Sequence, residues 1–197
     1  MTRKEERELA FTLVFEKIFN DELSIEEIID NADCNIIIDA DGINCVSENI
    51  NIIKRAKSDL ILTPHMGEMS RLIGLTIKEI QSDIIQIGRN FSSEYNAILV
   101  LKGPRTLIFE PNGNVYINTM SDSSMATAGT GDMLAGMITA FCGEGIRAID
   151  AARYAVFLHG KSGVLSSQLY SQRATTPTTM IKCLEGLFLE YETNEGD

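Results

Sequence analysis

The fold is decided by a pattern that is plainest at Leu60-Ile61-Leu62-Thr63-Pro64-His65, where a short apolar run passes directly into a polar loop. A continuous apolar run of this length, bounded by turn residues, is typical of a buried strand in a parallel sheet. Two further runs have the same form: residues 35–38 end in Asp39-Ala40-Asp41-Gly42, and residues 97–101 end in Lys102-Gly103-Pro104. We therefore predict a strand at each of the three places.

Helical patterns separate and follow these runs, and they are predicted over residues 3–19, 47–57, 76–91, 132–141, 150–169 and 177–191. Ser24 and Glu27 predict a capping box at the start of one more short helix. Residues 106–109 and 115–118, on either side of Pro111-Asn112-Gly113, predict a β-hairpin. Alternating strands and helices favour an α/β fold with a largely parallel sheet, whose ligands bind at the carboxyl ends of the strands. We expect the three loops to converge on one crevice there.

Composition limits the classes of partner. The 17 Lys and Arg residues against 28 Asp and Glu give a net charge of −11, which leaves no broad basic surface for nucleic acid or anionic membrane. No apolar run approaches the roughly 20 residues that span a bilayer, and the charged N-terminus does not resemble a signal peptide. The cysteines fit no zinc pattern and are expected to be buried or neutral thiols, which favours a cytoplasmic location; they are Cys34, Cys45, Cys142 and Cys183.

The segment Thr127-Ala128-Gly129-Thr130-Gly131-Asp132 carries the strongest chemical signal. An apolar helix is predicted directly after it, and we expect that helix to be buried on nearly every face, so that its N-terminal amides need partners. Glycines let a ligand approach the backbone closely, and free amides at a helix N-terminus bind anions. Asp132 would repel a phosphate, but it suits a base that takes the proton from an attacking hydroxyl. The alternative is that Asp132 or Thr130 only caps the helix.

Two other loops offer ligand-binding groups. Lys102-Gly103-Pro104-Arg105-Thr106 could bind phosphate through its lysine and threonine, or form an ordinary surface turn. His65 could hydrogen-bond a ligand, with Glu68 supporting it or helping to hold Mg²⁺ through water, although a capping glutamate in a loop is the simpler alternative. The pair Asp39 and Asp41 suits a metal or ribose site no better than it suits a cap, and His159, inside a helical pattern, is interpreted as structural.

Five segments, in their order along the chain, resemble the NAD(P)H-hydrate dehydratase family of the ribokinase-like superfamily. They are DADGIN (39–44), TPHMGE (63–68), LKGPRT (101–106), VYIN (115–118) and MATAGTGDMLAG (125–136). The resemblance runs from about Cys34 to the C-terminus. GTGD is shared with several small-molecule kinases, whereas TPHxGE combined with MATxGTGD points to the dehydratase. The implied fold is a ribokinase-like three-layer sandwich with a mostly parallel central sheet.

The resemblance implies repair of damaged nicotinamide cofactors. The family acts on S-NAD(P)HX, the S epimer of the hydrated cofactor. It uses ADP or ATP, with Mg²⁺, to phosphorylate a hydroxyl on the hydrated nicotinamide ring, and phosphate then leaves. The resemblance implies that Asp132 acts at that hydroxyl as the catalytic residue and that His65 contacts the hydrated cofactor. The nucleotide-binding residues would be Lys102, Gly103, Pro104, Arg105, Thr106, Gly129, Thr130 and Gly131. The metal ligands stay unassigned.

Some positions depart from the family pattern, which commonly has proline at Met66 and glycine at Ala128. Family members also carry early strands and two glycine-rich substrate loops before the matching part. We therefore expect residues 1–197 to form a single ribokinase-like domain that is incomplete at its N-terminus. Its sheet edge would be exposed, which favours association into homo-oligomers. A sugar or hydroxymethylpyrimidine kinase and a non-catalytic nucleotide-binding remnant are the alternative functions.

Overall fold

The computed structural model describes residues 24–193, with side chains described as far as Tyr191. The helix predicted over residues 3–19 lies outside this part. Five strands form one sheet in the order in which they occur along the chain: β1 (Ile36–Ile38), β2 (Leu60–Leu62), β3 (Ile98–Leu101), β4 (Leu107–Phe109) and β5 (Val115–Ile117). Strands β1, β2 and β3 are parallel, whereas β4 and β5 are antiparallel to their preceding neighbours. The three predicted parallel strands and the predicted hairpin are thus confirmed in one mixed sheet.

Eight α-helices accompany these strands within residues 24–193. They are α1 (Ile25–Asn31), α2 (Asp41–Glu48), α3 (Met66–Ile73), α4 (Ile77–Ser82), α5 (Ile84–Tyr95), α6 (Thr130–Gly143), α7 (Ala148–Tyr170) and α8 (Pro177–Thr193). The predicted capping box begins α1: the Ser24 hydroxyl accepts from the Glu27 amide, and the Glu27 carboxylate accepts from the Ser24 amide.

Helices cover both faces of the sheet because alternate strand residues point to opposite sides. In β2, Leu60 and Leu62 belong to a buried cluster with residues of α1 to α5. Ile61 belongs to a second cluster, built with residues of α6 and α7. A third cluster joins α8 to α6 and α7. The three-layer α/β arrangement is therefore confirmed, with α6 and α7 on one face and α1 to α5 on the other.

The predicted helix near residues 47–57 was wrong in position. Helix α2 begins at Asp41, inside the stretch predicted as a loop, and a 3₁₀ turn over Ile50–Arg55 replaces the expected continuation. Ile43 and Val46, which are spaced by three, supply the buried face of α2. The local sequence has the composition of a turn and does not by itself favour a helix start at Asp41. Burial of Ile43 and Val46 in the tertiary structure therefore sets where α2 begins.

Two helical segments after β2 also differ from expectation. Residues 66–68 were interpreted as part of a loop and no helix was predicted before residue 76, but residues 66–73 form α3, which His65 caps with its imidazole. Histidine is not among the usual capping residues, so this helix start has no standard signature in the sequence. The single helix predicted over 76–91 is two helices, because Asp83 leaves helical geometry at φ −148°. Nothing in the local sequence marks that break.

Helix α6 is less enclosed than its composition indicates. Thr130, Met133, Leu134 and Ile138 are buried, but Asp132, Gly136 and Ala140 are exposed along its other side. The expectation that α6 is buried on nearly every face is therefore wrong, because the helix packs on the sheet through one side only. Small side chains, and not polar ones, cover much of the open side.

The cysteine and membrane expectations can be compared with the described residues. All four cysteines are free thiols; Cys183 is buried, Cys34 and Cys142 are partly buried, and Cys45 is exposed. Burial raises the pKa of Cys142 to about 11, which makes it unreactive as a nucleophile. Between residues 24 and 193, no helix combines the length and the apolarity that crossing a bilayer requires.

Gly88 on α5 gives a direct test of the packing between helix and sheet. A Cβ atom at this position would lie 2.3 Å from Cζ of the buried Phe109 ring on β4. We expect Gly88→Ala to lower the free energy of unfolding by about 1–3 kcal/mol in urea titrations, since the ring has no room to move. Gly186→Ala is the matched control, because a Cβ atom there meets nothing within 4 Å. The control should instead stabilise α8 by about 0.5–1 kcal/mol, and equal effects of the two variants would contradict the packing described.

Candidate active site

The carboxyl ends of β1, β2 and β3 meet at one edge of the sheet, as expected for parallel neighbours. Past the end of β2, His65 and Lys102 continue the parallel pairing as an isolated bridge, and the Lys102 amide donates to the Pro64 carbonyl at 2.8 Å. Asp39 follows β1 directly. The three loops predicted to converge therefore do so.

Lys102 joins these strand ends to the start of α6. Its Nζ lies 2.7 Å from Oδ1 of Asp39 and 4.0 Å from Oε2 of Glu68. The Lys102 and Asp39 side chains are only 20% and 14% exposed, so water screens this pair less than a surface pair. A Cβ atom on Gly131 would lie 3.4 Å from the same Nζ. The ammonium group thus stands between two carboxylates and the first turn of a helix.

The first turn of α6 is built as an open set of amide donors. Gly129 takes a left-handed conformation, φ 87°, at the N-cap position, and no side chain caps the helix. The Thr130 hydroxyl instead donates to the Met125 and Thr127 carbonyls, both at 2.8 Å, and so holds the preceding loop. Among residues 24–193 the amides of Gly131 and Asp132 have no acceptor. The alternative in which Asp132 or Thr130 caps α6 is therefore wrong, and the turn retains the properties of an anion site.

Asp132 occupies the third position of α6 and is exposed. Its carboxylate makes no hydrogen bond or ion pair with any other described residue. Asp39 and Glu68 differ from it, because their carboxylates are engaged by Lys102 or by the α3 cap. Asp132 is the carboxylate of this group that is available to take a proton from a ligand.

His65 and Glu68 form a reciprocal cap at the start of α3. Nδ1 of His65 accepts from the Gly67 and Glu68 amides at 3.0 and 3.1 Å, while the Glu68 carboxylate accepts from the His65 amide at 2.7 Å. Because Nδ1 accepts two hydrogen bonds, the ring proton must be on Nε2. The His65 side chain is 56% exposed, whereas that of Glu68 is 8% exposed. Glu68 is thus a buried support, and its Oε1 also lies 3.5 Å from Nε2 of the exposed His65 ring.

The loop after Lys102 is exposed over Gly103, Pro104 and Arg105. It is tied to the segment that leads to α6, since the Ser121 hydroxyl donates to the Pro104 carbonyl at 2.6 Å and the Asn118 amide donates to the Thr106 carbonyl at 2.9 Å. The structure places this loop beside the site through these ties. Within the described residues, Arg105 forms no hydrogen bond or ion pair with the α6 turn.

His159 was interpreted as structural, yet it contacts the site. It lies on α7 with Nε2 2.9 Å from the Thr130 carbonyl. Burial lowers the pKa of this imidazole, and Lys102 lowers it further, against the raising effect of the hydrogen bond to Thr130. A histidine in an apolar helical pattern gave no signal of this contact, because only the packing of α7 on α6 creates it.

The residues present suit a magnesium ion that arrives with a nucleotide. Over residues 24–193, no group of three or more His, Cys, Asp or Glu side chains is arranged to hold a metal ion. Mg²⁺ is commonly held by substrate phosphates with one or two carboxylates and retains several waters, so it needs no such cage. Asp39 and Glu68 are the carboxylates near the Lys102 ammonium that could serve in this way.

The sheet is flanked by helices and has an open helix N-terminus at its strand ends, and this arrangement defines the class of fold. The solved structures that the chain resembles have the ribokinase-like fold. Within that class, a profile of the NAD(P)H-hydrate dehydratase family matches residues 19–185. The chain therefore belongs to this family, and the resemblance inferred from the sequence is confirmed.

Individual relatives support this assignment. The chain is 38% identical over 150 residues to the bifunctional NAD(P)H-hydrate repair enzyme Nnr of Moorella thermoacetica, covering 76% of this chain and 28% of the relative. It is 35% identical over 136 residues to the ADP-dependent (S)-NAD(P)H-hydrate dehydratase of Neisseria meningitidis serogroup B, covering 68% of this chain and 46% of the relative. It resembles the ADP/ATP-dependent NAD(P)H-hydrate dehydratase from Bacillus subtilis, co-crystallised with ATP/Mg²⁺, with a TM-score of 0.73 and 28% identity. That similarity covers 83% of this chain and 57% of the solved chain. The chain thus spans less than half of each curated relative described here.

The ion pair between Lys102 and Asp39 can be tested by Asp39→Asn. We expect the free energy of unfolding to fall by about 1–3 kcal/mol, because the nearest partner of the poorly hydrated Lys102 ammonium becomes a neutral, weaker acceptor and only the Glu68 carboxylate, at 4.0 Å, stays charged. Asp33→Asn, at an exposed carboxylate before β1, should change it by no more than about 0.5 kcal/mol. Urea unfolding of both variants decides the point, and matching values would show that the pair contributes nothing specific.

Proposed function

We propose that the chain is the catalytic part of a nucleotide-dependent NAD(P)H-hydrate dehydratase, which returns S-NADHX or S-NADPHX to the reduced cofactor. One observation carries this proposal: Asp132, an exposed carboxylate without a partner among the described residues, lies at a helix N-terminus that faces Lys102 and whose Gly131 and Asp132 amides have no acceptor among those residues. An acceptor for a proton and donors for a phosphate thus stand side by side. Membership of the family selects the substrate from those that such a site could serve.

The phosphate donor would be ADP or ATP, held with Mg²⁺. The open Gly131 amide of the Gly129–Gly131 turn and the Lys102 ammonium would bind its phosphates, and the loop Gly103-Pro104-Arg105-Thr106 would contact the rest of the nucleotide. These local donors are needed because the net charge of −11 repels an anionic ligand from most of the surface. Binding therefore depends on a few oriented groups and not on a basic face.

The hydrated cofactor would lie against His65 and Asp132. The α3 cap holds the His65 ring, and its Nε2–H, which lies 3.5 Å from Oε1 of Glu68, would donate to a polar group of the ligand in place of this carboxylate. Asp132 would take the proton of the ring hydroxyl as its oxygen bonds to the terminal phosphorus, and AMP or ADP would leave. Hydroxide is a poor leaving group, whereas phosphate is a good one. Cleavage of the C–O bond then expels phosphate, and loss of a proton from the adjacent ring carbon restores the double bond.

The activity is tested by incubating the full chain with S-NADHX, ADP and Mg²⁺ and following the absorbance of regenerated NADH. Turnover that requires the nucleotide supports the proposal. Phosphorylation of a vitamin precursor or sugar, with no NADH formed, would favour a kinase of the same fold. ADP binding in calorimetry with neither reaction would favour a non-catalytic nucleotide-binding protein.

Asp132→Asn tests the proposed base. We expect kcat to fall by roughly 10²–10⁴-fold, because the amide has the same shape but cannot accept the proton. Glu185→Gln, which removes an exposed carboxylate on α8, is the control and should leave kcat unchanged. Since Asp132 is exposed, its replacement should change the free energy of unfolding by only about 0.3–1 kcal/mol, the usual value of a charge in the first helical turn. Unchanged kinetics in a folded Asp132→Asn variant would remove this role.

We also propose a cytoplasmic location and self-association. Free cysteines suit a reducing compartment. Within residues 24–193, β1 pairs with β2 alone, and an unpaired strand edge favours contact between copies. Sedimentation velocity over a range of concentrations should then show a dimer or larger species, and a monomer at every concentration would contradict self-association.

A further inference from the structure

The contact between His159 and Thr130 has a defined polarity. A carbonyl oxygen can only accept, so Nε2 of His159 must donate across the 2.9 Å that separates it from the Thr130 oxygen. The ring is partly buried, and its lowered pKa keeps it neutral near pH 7. Helix α7 therefore presents a fixed, uncharged N–H donor to the first turn of α6.

The acceptor of this hydrogen bond belongs to the site itself. The Thr130 carbonyl and the Gly131 amide are the two ends of one planar peptide group. Gly131 N–H is one of the two amides that lack an acceptor among residues 24–193. A hydrogen bond at the carbonyl end polarises the group and makes its N–H a stronger donor. It also fixes the plane in which that N–H points.

Helix α7 is shaped for close approach to the segment before α6. A Cβ atom on Gly160 would lie 2.2 Å from the Met120 carbonyl oxygen, and one on Gly163 would lie 2.4 Å from Sδ of Met125. The Asn118 side chain also donates to the Val156 carbonyl of α7 at 3.1 Å. The Thr130 hydroxyl is occupied by loop carbonyls and cannot orient its own peptide group. Among the described residues, the side chain that forms a hydrogen bond with the Thr130–Gly131 peptide group is that of His159.

We propose that His159 is a positioning residue, which orients and polarises the Thr130–Gly131 peptide so that Gly131 N–H binds a phosphate oxygen of the nucleotide. This inference rests on the proposed function only in taking a nucleotide as the ligand. A merely structural histidine would affect folding. A positioning histidine affects the phosphate-dependent part of binding as well.

The test compares ADP with adenosine, which lacks the phosphates, as calorimetric ligands of the full chain. We expect His159→Leu to weaken ADP binding by about 10-fold, the equivalent of about 1.4 kcal/mol, and to leave adenosine binding unchanged. His159→Gln should restore ADP binding to within about 3-fold of the wild type, since the glutamine amide nitrogen can occupy the place of Nε2. His159→Asn, whose side chain is too short to reach Thr130, should behave as His159→Leu does. This pair decides the matter if His159→Leu does not fold.

The control for loss of a buried contact on the same helix is Ser166→Ala. The Ser166 hydroxyl is buried and donates to Thr179 of α8 at 2.8 Å, away from α6. This variant should lose stability but keep the wild-type affinity for ADP. Equal weakening of ADP and adenosine in His159→Leu, or no rescue by glutamine, would overturn the positioning role.

The proposed function can fail separately from this inference. If the wild-type chain binds ADP but does not regenerate NADH, the enzymatic assignment fails while the ADP and adenosine comparison still decides the role of His159. A wild-type chain that binds no ADP overturns both.

Discussion

The ammonium group of Lys102 is the point on which the arrangement of the site depends. It follows β3, pairs with Asp39 after β1, and lies beside Gly131 at the start of α6. Elements that are far apart in the chain thus share one charge. In a protein with a net charge of −11, this positive group and the α6 amides must supply the attraction for a phosphate. The acidic neighbours keep the ammonium in place and partly offset its charge, so an anionic ligand must compete with Asp39 for it.

Two glycines lie in the turn beside that lysine, and they differ in what they contribute. Gly129 takes a positive φ, which other residues adopt only with strain. Gly131 leaves its amide open beside the Lys102 ammonium. A side chain at Gly129 would strain the turn, whereas a Cβ atom at Gly131 would lie in ordinary contact with Nζ of Lys102. The Gly129–Gly131 turn therefore provides the geometry for binding an anion, and Asp132 adds a carboxylate that can accept a proton.

Much of the fold could be predicted because its signals are local. The apolar runs at β1, β2 and β3, and the Asn112-Gly113 turn of the hairpin, have few alternative structures in so short a stretch. The helix boundaries were harder to predict from the sequence. The start of α2 at Asp41 depends on burial of Ile43 and Val46, and the start of α3 depends on an imidazole cap that has no standard sequence signature. The break at Asp83 carries no local mark at all.

By itself, the sequence determined the α/β class, the three loops at strand ends and the family, because these follow from patterns of neighbouring residues and from motifs in a fixed order. Only the tertiary structure decided how those groups divide the work. It engaged Asp39 with Lys102, placed Glu68 under the α3 cap and left Asp132 free. It also brought His159 to a carbonyl 29 positions away in the chain. The physical reason is that hydrogen bonds and ion pairs depend on distances and directions across elements, which no run of adjacent residues encodes.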